Sequence, residues 1–316
     1  MLSIFSGRRT PLILASSAIL LAGCESLSLA RGAANYERIL DTYAQTDTTE
    51  TAITTRRHAD GRDAGLIWAY FGLDDALPER ITDRVACEGA GGADGMPVIF
   101  SHEVDIATLE PGDFKITTQS GAIYPATCLT LAPASDPGEL RTALLAGFYG
   151  SAEDQPLTIE IVGNVLSLDG TVNFTGASVG VTPLEAGPTM VWAEIVPQAQ
   201  WDLGGKATSF PWGGGSRCPV GTLQVLRVTW GGGITKPGGD PADDDERQLY
   251  KVTTIKTDGK TSEITPFALA DLQDGDNNHL LCLDTADAVR SVFFPAGHVT
   301  DPREDLNPDT TISLLQ

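Results

Sequence analysis

Residues 96–118 read MPVIFSHEVDIATLEPGDFKITT and hold two candidate β-strands with a turn between them. Residues 96–100 are a short apolar run, and residues 114–118 alternate, with apolar side chains at Phe114 and Ile116. The connecting Glu-Pro-Gly-Asp at residues 110–113 has the Pro and Gly that turns use. Short strands bounded by such turns are typical of antiparallel sheets, so this stretch predicts an all-β fold.

The same pattern extends through most of the chain. Further candidate strands lie at residues 128–131, 143–148, 157–162, 189–196, 222–230, 249–256, 280–283, 289–294 and 311–315. Gly, Asp and Pro separate them, and residues 187–316 show no strong helical period. We therefore predict an all-β protein with two disulfide-containing β-sandwich domains, Ig-like or fibronectin-like, that follow a lipidated tether. The predicted segments are residues 24–79 (tether and docking segment), 80–163 (first sandwich), 164–186 (linker or extra hairpin) and 187–316 (second sandwich).

Part of the first predicted domain resembles a known family. The string Pro97-Val-Ile-Phe-Ser101, followed by Val104-Asp105, Thr108-Leu109 and Phe114, is similar to the bacterial Ig-like domain first known from surface-layer proteins. The resemblance covers about residues 95–163 and includes a closing strand at residues 156–161. It implies an Ig-like sandwich that acts as a spacer or a binding platform, and it implies no catalytic residue. We recognise no family in the second half.

The N-terminus has the three parts of a secretory signal. Arg8 and Arg9 precede an apolar run at residues 11–22, and small residues follow before Cys24. The quartet Leu21-Ala-Gly-Cys24 resembles the bacterial lipobox, which implies cleavage before Cys24 and lipidation of its thiol. Several acyl chains would anchor the protein stably to a membrane. The alternative is an ordinary signal peptide, residues 1–23, followed by a chance Cys. We predict a lipid-anchored protein of the cell envelope, with Glu25 favouring the outer membrane.

Charge and cysteine content restrict the partners. The 316 residues include 21 Lys and Arg against 42 Asp and Glu, a net charge of −21, which argues against a nucleic-acid partner. Four cysteines remain besides Cys24, namely Cys87, Cys128, Cys218 and Cys282. An even number in an oxidising compartment predicts two disulfides out of three possible pairings. We favour the pairs 87–128 and 218–282, because each falls inside one predicted domain. A zinc site is the rival, but the spacing contains no Cys-x-x-Cys half-site.

Acidic turns are the candidate metal sites. Residues 271–278, DLQDGDNN, place many oxygen atoms at short spacing, as calcium requires. The predicted calcium ligands in the two best clusters are Asp271, Asp274, Asp276, Asn278, Asp301 and Asp305. A third acidic cluster at residues 240–246 is a weaker candidate. Ordinary β-turns use the same residue types, so the alternative of plain turns stays open.

Aromatic and histidine residues are the remaining candidates. Trp201, Trp212 and Trp230 lie beside Gly runs, and we consider them, with His279, as ligand contacts, the alternative being core positions. The sequence has no Gly-x-Ser-x-Gly elbow and no His-Glu-x-x-His motif. Its four histidines are His58, His102, His279 and His298, and no two lie within five residues. His58 falls in the predicted tether, and His279 and His298 could meet in space with a carboxylate.

These patterns predict a non-catalytic binding or structural module of the envelope, with calcium as its candidate cofactor. Its predicted partners are the membrane, through the lipid at Cys24, and an envelope protein or glycan. One alternative is a metal-dependent hydrolase of polysaccharides or esters, with its site in residues 187–316 around Asp274, Asp276, His279 and Asp305. Another alternative is an assembly factor of an envelope complex.

Overall fold

The computed structural model describes residues 45–79, 87–201, 203–204, 217–272 and 275–314. Cys24 and the predicted signal peptide lie outside these ranges, as do Asp274 and Trp212. The described residues form four four-stranded antiparallel sheets, which confirms the predicted all-β class. They include no helix with the length and hydropathy that crossing a membrane would require.

The described residues of each half form eight strands, and the strands of the first half make up what we call the first sandwich. They are β1 (Leu66–Ala69), β2 (Asp94–Phe100), β3 (Phe114–Thr118), β4 (Ile123–Tyr124), β5 (Cys128–Thr130), β6 (Thr142–Gly147), β7 (Pro156–Ile161) and β8 (Ser178–Gly180). One sheet has the order β1-β2-β6-β5, and the other has the order β4-β3-β7-β8. Short 3-10 turns at Ile106–Thr108 and Pro111–Asp113 connect β2 to β3.

Strand alternation explains the core of the first sandwich. In β3, Phe114 and Ile116 are buried, whereas Lys115 and Thr117 are partly exposed, as the sequence pattern predicts. The core reaches beyond residues 80–163 at both ends. Ala69 on β1 and Phe71 belong to it, and so does Phe174 in the stretch predicted as a linker or hairpin. Residues 64–79 are therefore part of the sandwich itself, and residues 164–186 contribute β8 and a bridge between Leu166 and Asn173.

The second half contains eight more strands, the second sandwich. They are β9 (Met190–Ile195), β10 (Gln224–Trp230), β11 (Lys251–Ile255), β12 (Thr261–Ile264), β13 (Ala268–Ala270), β14 (Asn278–Leu283), β15 (Ala288–Phe294) and β16 (Thr310–Ser313). The two sheets have the orders β13-β14-β10-β9 and β12-β11-β15-β16. A 3-10 turn lies at Gln198–Gln200, and a six-residue helix, α1, at Asp244–Leu249. Asp243 and Glu246 form a capping box on α1, so the third acidic cluster begins a helix.

Strand β10 has two buried faces with different chemistry. Leu226, Val228 and Trp230 point into the second core. Arg227 and Thr229 alternate with them and are also buried, at 4% and 0% exposure. Because successive side chains of a strand point to opposite faces, these polar residues lie on the side away from that core. Arg227 contacts Gly138 of the first sandwich, so this face of β10 forms the junction between the two sandwiches.

Both favoured disulfides are present. Cys87 pairs with Cys128 across 41 residues, and Cys218 pairs with Cys282 across 64 residues. All four cysteines are at most 1% exposed. The first disulfide packs beside Leu77 and Ala146, and the second beside Val196 and Ala270. Each one therefore ties a loop to a strand of its own sandwich.

We expect removal of either disulfide to lower the free energy of unfolding by about 4 kcal/mol, because each closes a loop of several tens of residues in the unfolded chain. Urea unfolding of the Cys87→Ala/Cys128→Ala and Cys218→Ala/Cys282→Ala variants, followed by tryptophan fluorescence, measures the change. A loss below about 1 kcal/mol in both variants would contradict this role.

Candidate functional site

Acidic side chains from both sandwiches converge at their junction. Asp136 and Glu139 come from the turn between β5 and β6, and Asp271 follows β13. One oxygen from each lies within 4.8 Å of the others. Asp276, just before β14, interacts with Glu139 and Asp271 and joins the same group. We call Asp136, Glu139, Asp271 and Asp276 the interdomain carboxylate cluster.

The turn that carries Asp136 and Glu139 has the sequence Asp-Pro-Gly-Glu. The Glu139 amide donates to the Asp136 carbonyl over 3.0 Å, which closes the turn. Gly138 has φ +93°, and a Cβ there would lie 2.8 Å from the Arg227 guanidinium. Glycine is therefore required both by the backbone conformation and by the close approach of Arg227. On the other side of the junction, Asp271 has φ +62°, which Asp tolerates better than most residues.

Asn278 holds the Asp276 carboxylate in place. Its backbone amide donates to Oδ1 and its side-chain amide donates to Oδ2, both over 2.8 Å. The Asn278 side-chain oxygen accepts from the Thr229 hydroxyl over 2.7 Å. Asn278, which the sequence suggested as a calcium ligand, thus donates two hydrogen bonds to Asp276. Its side-chain oxygen accepts a hydrogen bond from Thr229.

Two buried arginines supply positive charge to this region. Arg227 lies 3.4 Å from Glu139 (Nε to Oε1) and donates to the Gly138 carbonyl over 2.7 Å. It also donates to Glu194 over 3.0 Å, and Arg141 donates to the same carboxylate over 3.2 Å. Since both arginines contact Glu194, their two positive charges face five carboxylates in all. The cluster therefore has a surplus of negative charge when it is fully ionised.

This surplus of negative charge contributes to raised pKa values for two members of the cluster, Glu139 and Asp276. Burial, reinforced by the charges of Asp276 and Asp271, raises the pKa of Glu139 well above its usual range. Burial and the Asp271 charge raise the pKa of Asp276 to about 7. The Asp271 carboxylate is buried beside Glu139, and the hydrogen bond between these two acids requires a proton on one of them. Burying such oxygens is costly unless a proton or a metal cation compensates them.

An apolar cleft borders the cluster. It has a volume of about 200 Å³, and both sandwiches line it. Tyr70 and Leu144 belong to the first sandwich, whereas Gly232 and Asp276 belong to the second. An apolar cavity with a few polar groups at its edge is a common form of ligand site.

The second predicted calcium cluster has a different role. The Asp301 carboxylate accepts from the Tyr70 hydroxyl and from the backbone amides of Arg303 and Asp305, the amides over 3.0 and 2.9 Å. These contacts close the turn after Thr300 and tie it to the first sandwich. Among the described residues, Asp301 and Asp305 are not part of any group with metal-ligand spacing. The structure thus does not bring them together with Asp271 and Asp276 as ligands.

The candidate ligand-contact residues lie mostly inside the protein. Trp230 is 0% exposed and donates its indole N–H to the Tyr250 hydroxyl over 3.0 Å. That hydroxyl lies 2.9 Å from His279 Nδ1, and burial lowers the pKa of His279 to about 4. Burial thus removes Trp230 and His279 from any surface that a ligand could reach. Trp201, which is partly exposed, donates to the Val196 carbonyl over 2.8 Å.

Sequence reasoning found half of the interdomain carboxylate cluster. It singled out Asp271 and Asp276, but not Asp136 and Glu139, which lie in an Asp-Pro-Gly-Glu sequence between two predicted strands. No local signal distinguishes that turn, because Asp, Pro and Gly are what turns use anyway. The two halves are more than 130 residues apart in the chain, and only the packing of the sandwiches joins them.

Comparisons with known proteins give no functional assignment. No family model matches the chain, and no curated protein matches it significantly. Among solved structures, it is similar to the N-terminal part of the bacterial S-layer protein SbsC, with 13% identity and a TM-score of 0.27. The match covers 80% of this chain and 44% of that one, so the chain spans less than half of that structure's length. A TM-score this low carries no argument about function.

The buried His279 predicts a measurable dependence of stability on pH. Between about pH 4 and 6.5 the unfolded chain binds a proton at this residue and the folded chain does not. The free energy of unfolding should therefore fall as the pH drops through this window, by about 1.4 kcal/mol per pH unit from this group. Asp276 acts in the opposite direction, because its raised pKa makes the folded state bind the proton more tightly.

The variant His279→Gln isolates the histidine contribution, since Gln keeps a hydrogen-bond acceptor for Tyr250 and does not titrate. Relative to this variant, the wild type should lose stability from pH 6.5 to pH 4 in urea unfolding. The exposed His298→Gln is the matched control and should follow the wild type. A constant difference between wild type and His279→Gln across this range would disprove the interpretation.

Proposed function

We propose that this protein is a lipid-anchored, non-catalytic module of the cell envelope, whose two sandwiches are held together by calcium in the interdomain carboxylate cluster. The observation that carries the calcium proposal is the meeting of Asp136 and Glu139 from one sandwich with Asp271 and Asp276 from the other. The burial of these carboxylates, with Asp271 at 6% and Asp276 at 7% exposure, supports it as well.

Oxygen chemistry favours calcium over softer metals at this cluster. All four side chains are carboxylates, and calcium takes six to eight oxygen ligands in flexible geometry. Backbone carbonyls and waters commonly complete such a shell. Without a cation, the raised pKa values of Glu139 and Asp276 mean that protons compensate the charge. Calcium would replace those protons at neutral pH and remove the repulsion between the carboxylates.

A cation at this position would act on the arrangement of the two sandwiches. Its ligands belong to different sandwiches, so it would bind the joined form better than a separated one and would stabilise that form. A fixed junction would also keep the shape of the adjacent apolar cleft, to which Asp276 contributes. This cleft is the surface that we propose for an apolar group of an envelope partner.

Sequence and chemistry together support the envelope location. The lipobox-like quartet before Cys24 predicts lipid anchoring, and two disulfides fit an oxidising compartment. The acidic composition fits a soluble ectodomain that does not bind nucleic acid. Of the residues of the predicted hydrolase site, His279 lies inside the core, 2.9 Å from the Tyr250 hydroxyl.

Calcium should raise the melting temperature of the protein relative to EDTA at pH 7.5. A ligand at about 100 times its dissociation constant stabilises the folded state by about 2.7 kcal/mol. The Asp271→Asn and Glu139→Gln variants should lose most of this shift, because each removes a charged ligand. Differential scanning calorimetry with calcium, magnesium and EDTA measures it.

The matched control is Asp258→Asn, an exposed turn acid that is paired with Lys260. It should retain the full calcium shift. Equal shifts in all variants would place calcium elsewhere, and the absence of any shift in the wild type would exclude a calcium site at this junction.

Lipid anchoring makes a separate prediction. In a lipoprotein-processing host, the mature protein should begin at Cys24 and carry acyl chains, whereas Cys24→Ser should carry none and retain residues 1–23. Mass spectrometry of the detergent-extracted protein and fatty-acid labelling measure both. The Cys87→Ala/Cys128→Ala variant is the control and should keep the label. An unacylated wild-type N-terminus would refute the anchor.

A further inference from the structure

A second group of possible metal ligands lies in the first sandwich, where two histidines meet. His58 and Asp60 belong to a turn before β1, and His102 follows β2. The two imidazole rings lie 4.4 Å apart between centroids. Asp60 is between them, with Oδ1 3.0 Å from His58 Nδ1 and Oδ2 3.2 Å from His102 Nε2. The sequence had assigned His58 to the tether, so this meeting is decided by tertiary structure alone.

The outer nitrogen of each histidine has its own hydrogen-bond acceptor. His58 Nε2 lies 3.0 Å from Asp169 Oδ2. The other oxygen of Asp169 accepts from the Ser167 hydroxyl and the Thr171 side chain and amide, over 2.6 to 3.1 Å, which fixes the carboxylate. A carboxylate that orients the far side of a histidine is the usual arrangement around histidines that bind metals.

Ser101 plays the same part for His102. The Ser101 hydroxyl donates to the Asp63 carbonyl over 3.1 Å and accepts from the Gly65 amide over 3.0 Å. The Ser101 hydroxyl also lies 2.8 Å from His102 Nδ1, and in the tautomer with the hydrogen on Nδ1 the ring N–H donates to it. The lone pair of His102 Nε2 then faces Asp60.

In the tautomer with the hydrogen on Nε2, which donates to Asp169, the inner nitrogen of His58 offers a lone pair as well. The Asp60 backbone amide lies 3.3 Å from this nitrogen and donates to it in that tautomer. Two ring lone pairs and one carboxylate therefore converge within hydrogen-bond distance of one another. Such a meeting of electron-rich atoms is favourable when a cation lies between them.

The spacing of these donors matches a particular class of metal. Ligand atoms around a tetrahedral Zn²⁺, which lie about 2.0–2.2 Å from the ion, are about 3.3 Å from one another. Asp60 Oδ1 lies 3.0 Å from His58 Nδ1 and 3.5 Å from His102 Nε2, and these two distances bracket that value. Two imidazoles and one carboxylate suit zinc, whereas calcium prefers oxygen ligands only. Arg62 also pairs with Asp60 over 2.6 Å and keeps the carboxylate ionised.

The geometry points to a Zn²⁺ site formed by His58 Nδ1, Asp60 and His102 Nε2, with Asp169 and Ser101 as the residues that orient the histidines. The three ligands line a cavity of about 320 Å³, together with Arg141, from which water or a small anion can complete the coordination. The ion would fasten the turn at residues 58–62 to the end of β2. This site is independent of the calcium proposal, because it shares no residue with the interdomain carboxylate cluster.

Zinc binding by the full chain, purified in detergent, tests the site. Isothermal titration with zinc chloride should show one equivalent that is at least tenfold weaker in His58→Gln and in His102→Ala. Asp169→Asn should weaken binding by about 10–100-fold, because it changes the orientation of His58 without removing a ligand. The exposed His298→Ala is the matched control and should bind like the wild type. Cobalt substitution should give the visible absorption bands of a four-coordinate site.

Two results would overturn the assignment. One is the absence of zinc binding by the wild type, and the other is unchanged affinity in both histidine variants. Loss of binding in Glu139→Gln, with binding retained in His58→Gln, would move the ion to the interdomain carboxylate cluster and would also overturn it. His58→Gln changes a partly exposed turn, so it decides the question even where His102→Ala fails to fold. Circular dichroism of each variant establishes which of them are folded.

Discussion

The junction between the sandwiches depends on the buried guanidinium of Arg227, which contacts residues of both. It is placed there by strand alternation, because Leu226 and Val228 on either side point into the second core. A buried arginine must be paired, and Glu139, Glu194 and the Gly138 carbonyl supply the partners. Removing one partner of such a buried pair typically costs about 3–5 kcal/mol, so the two sandwiches are energetically coupled through this side chain.

The rest of the junction is arranged around that pairing. Arg141 shares Glu194 with Arg227, and both Arg141 and Arg62 lie over the ring of Trp192, 4.9 and 4.8 Å from its centroid. Elsewhere, Gly231 packs so closely on Trp68 that a Cβ would lie 2.6 Å from the indole nitrogen. Polar contacts, cation–π contacts and close backbone packing thus all stabilise the junction between the two sandwiches.

The two metal sites proposed above differ in the chemistry of their donor atoms. The interdomain carboxylate cluster offers oxygen atoms only and belongs to both sandwiches. The site at His58 and His102 offers two nitrogens and one carboxylate, and it belongs to the first sandwich alone. Hard and borderline cations would therefore sort between them without competing. In each case the ligands come from turns that strands bring together.

The sequence by itself determined the features that depend on local pattern. Alternation predicted strands such as β3 and β10, and the predicted domain boundaries favoured the two disulfide pairs that form. Tertiary structure decided which faces meet, because alternation does not say what a strand's second face will contact. It joined Asp136 and Glu139 to Asp271 and brought His58 to His102. Tertiary structure also buried Trp230 and His279. Trp and His occur both in cores and at surfaces, so only the residues that pack on them decide their place.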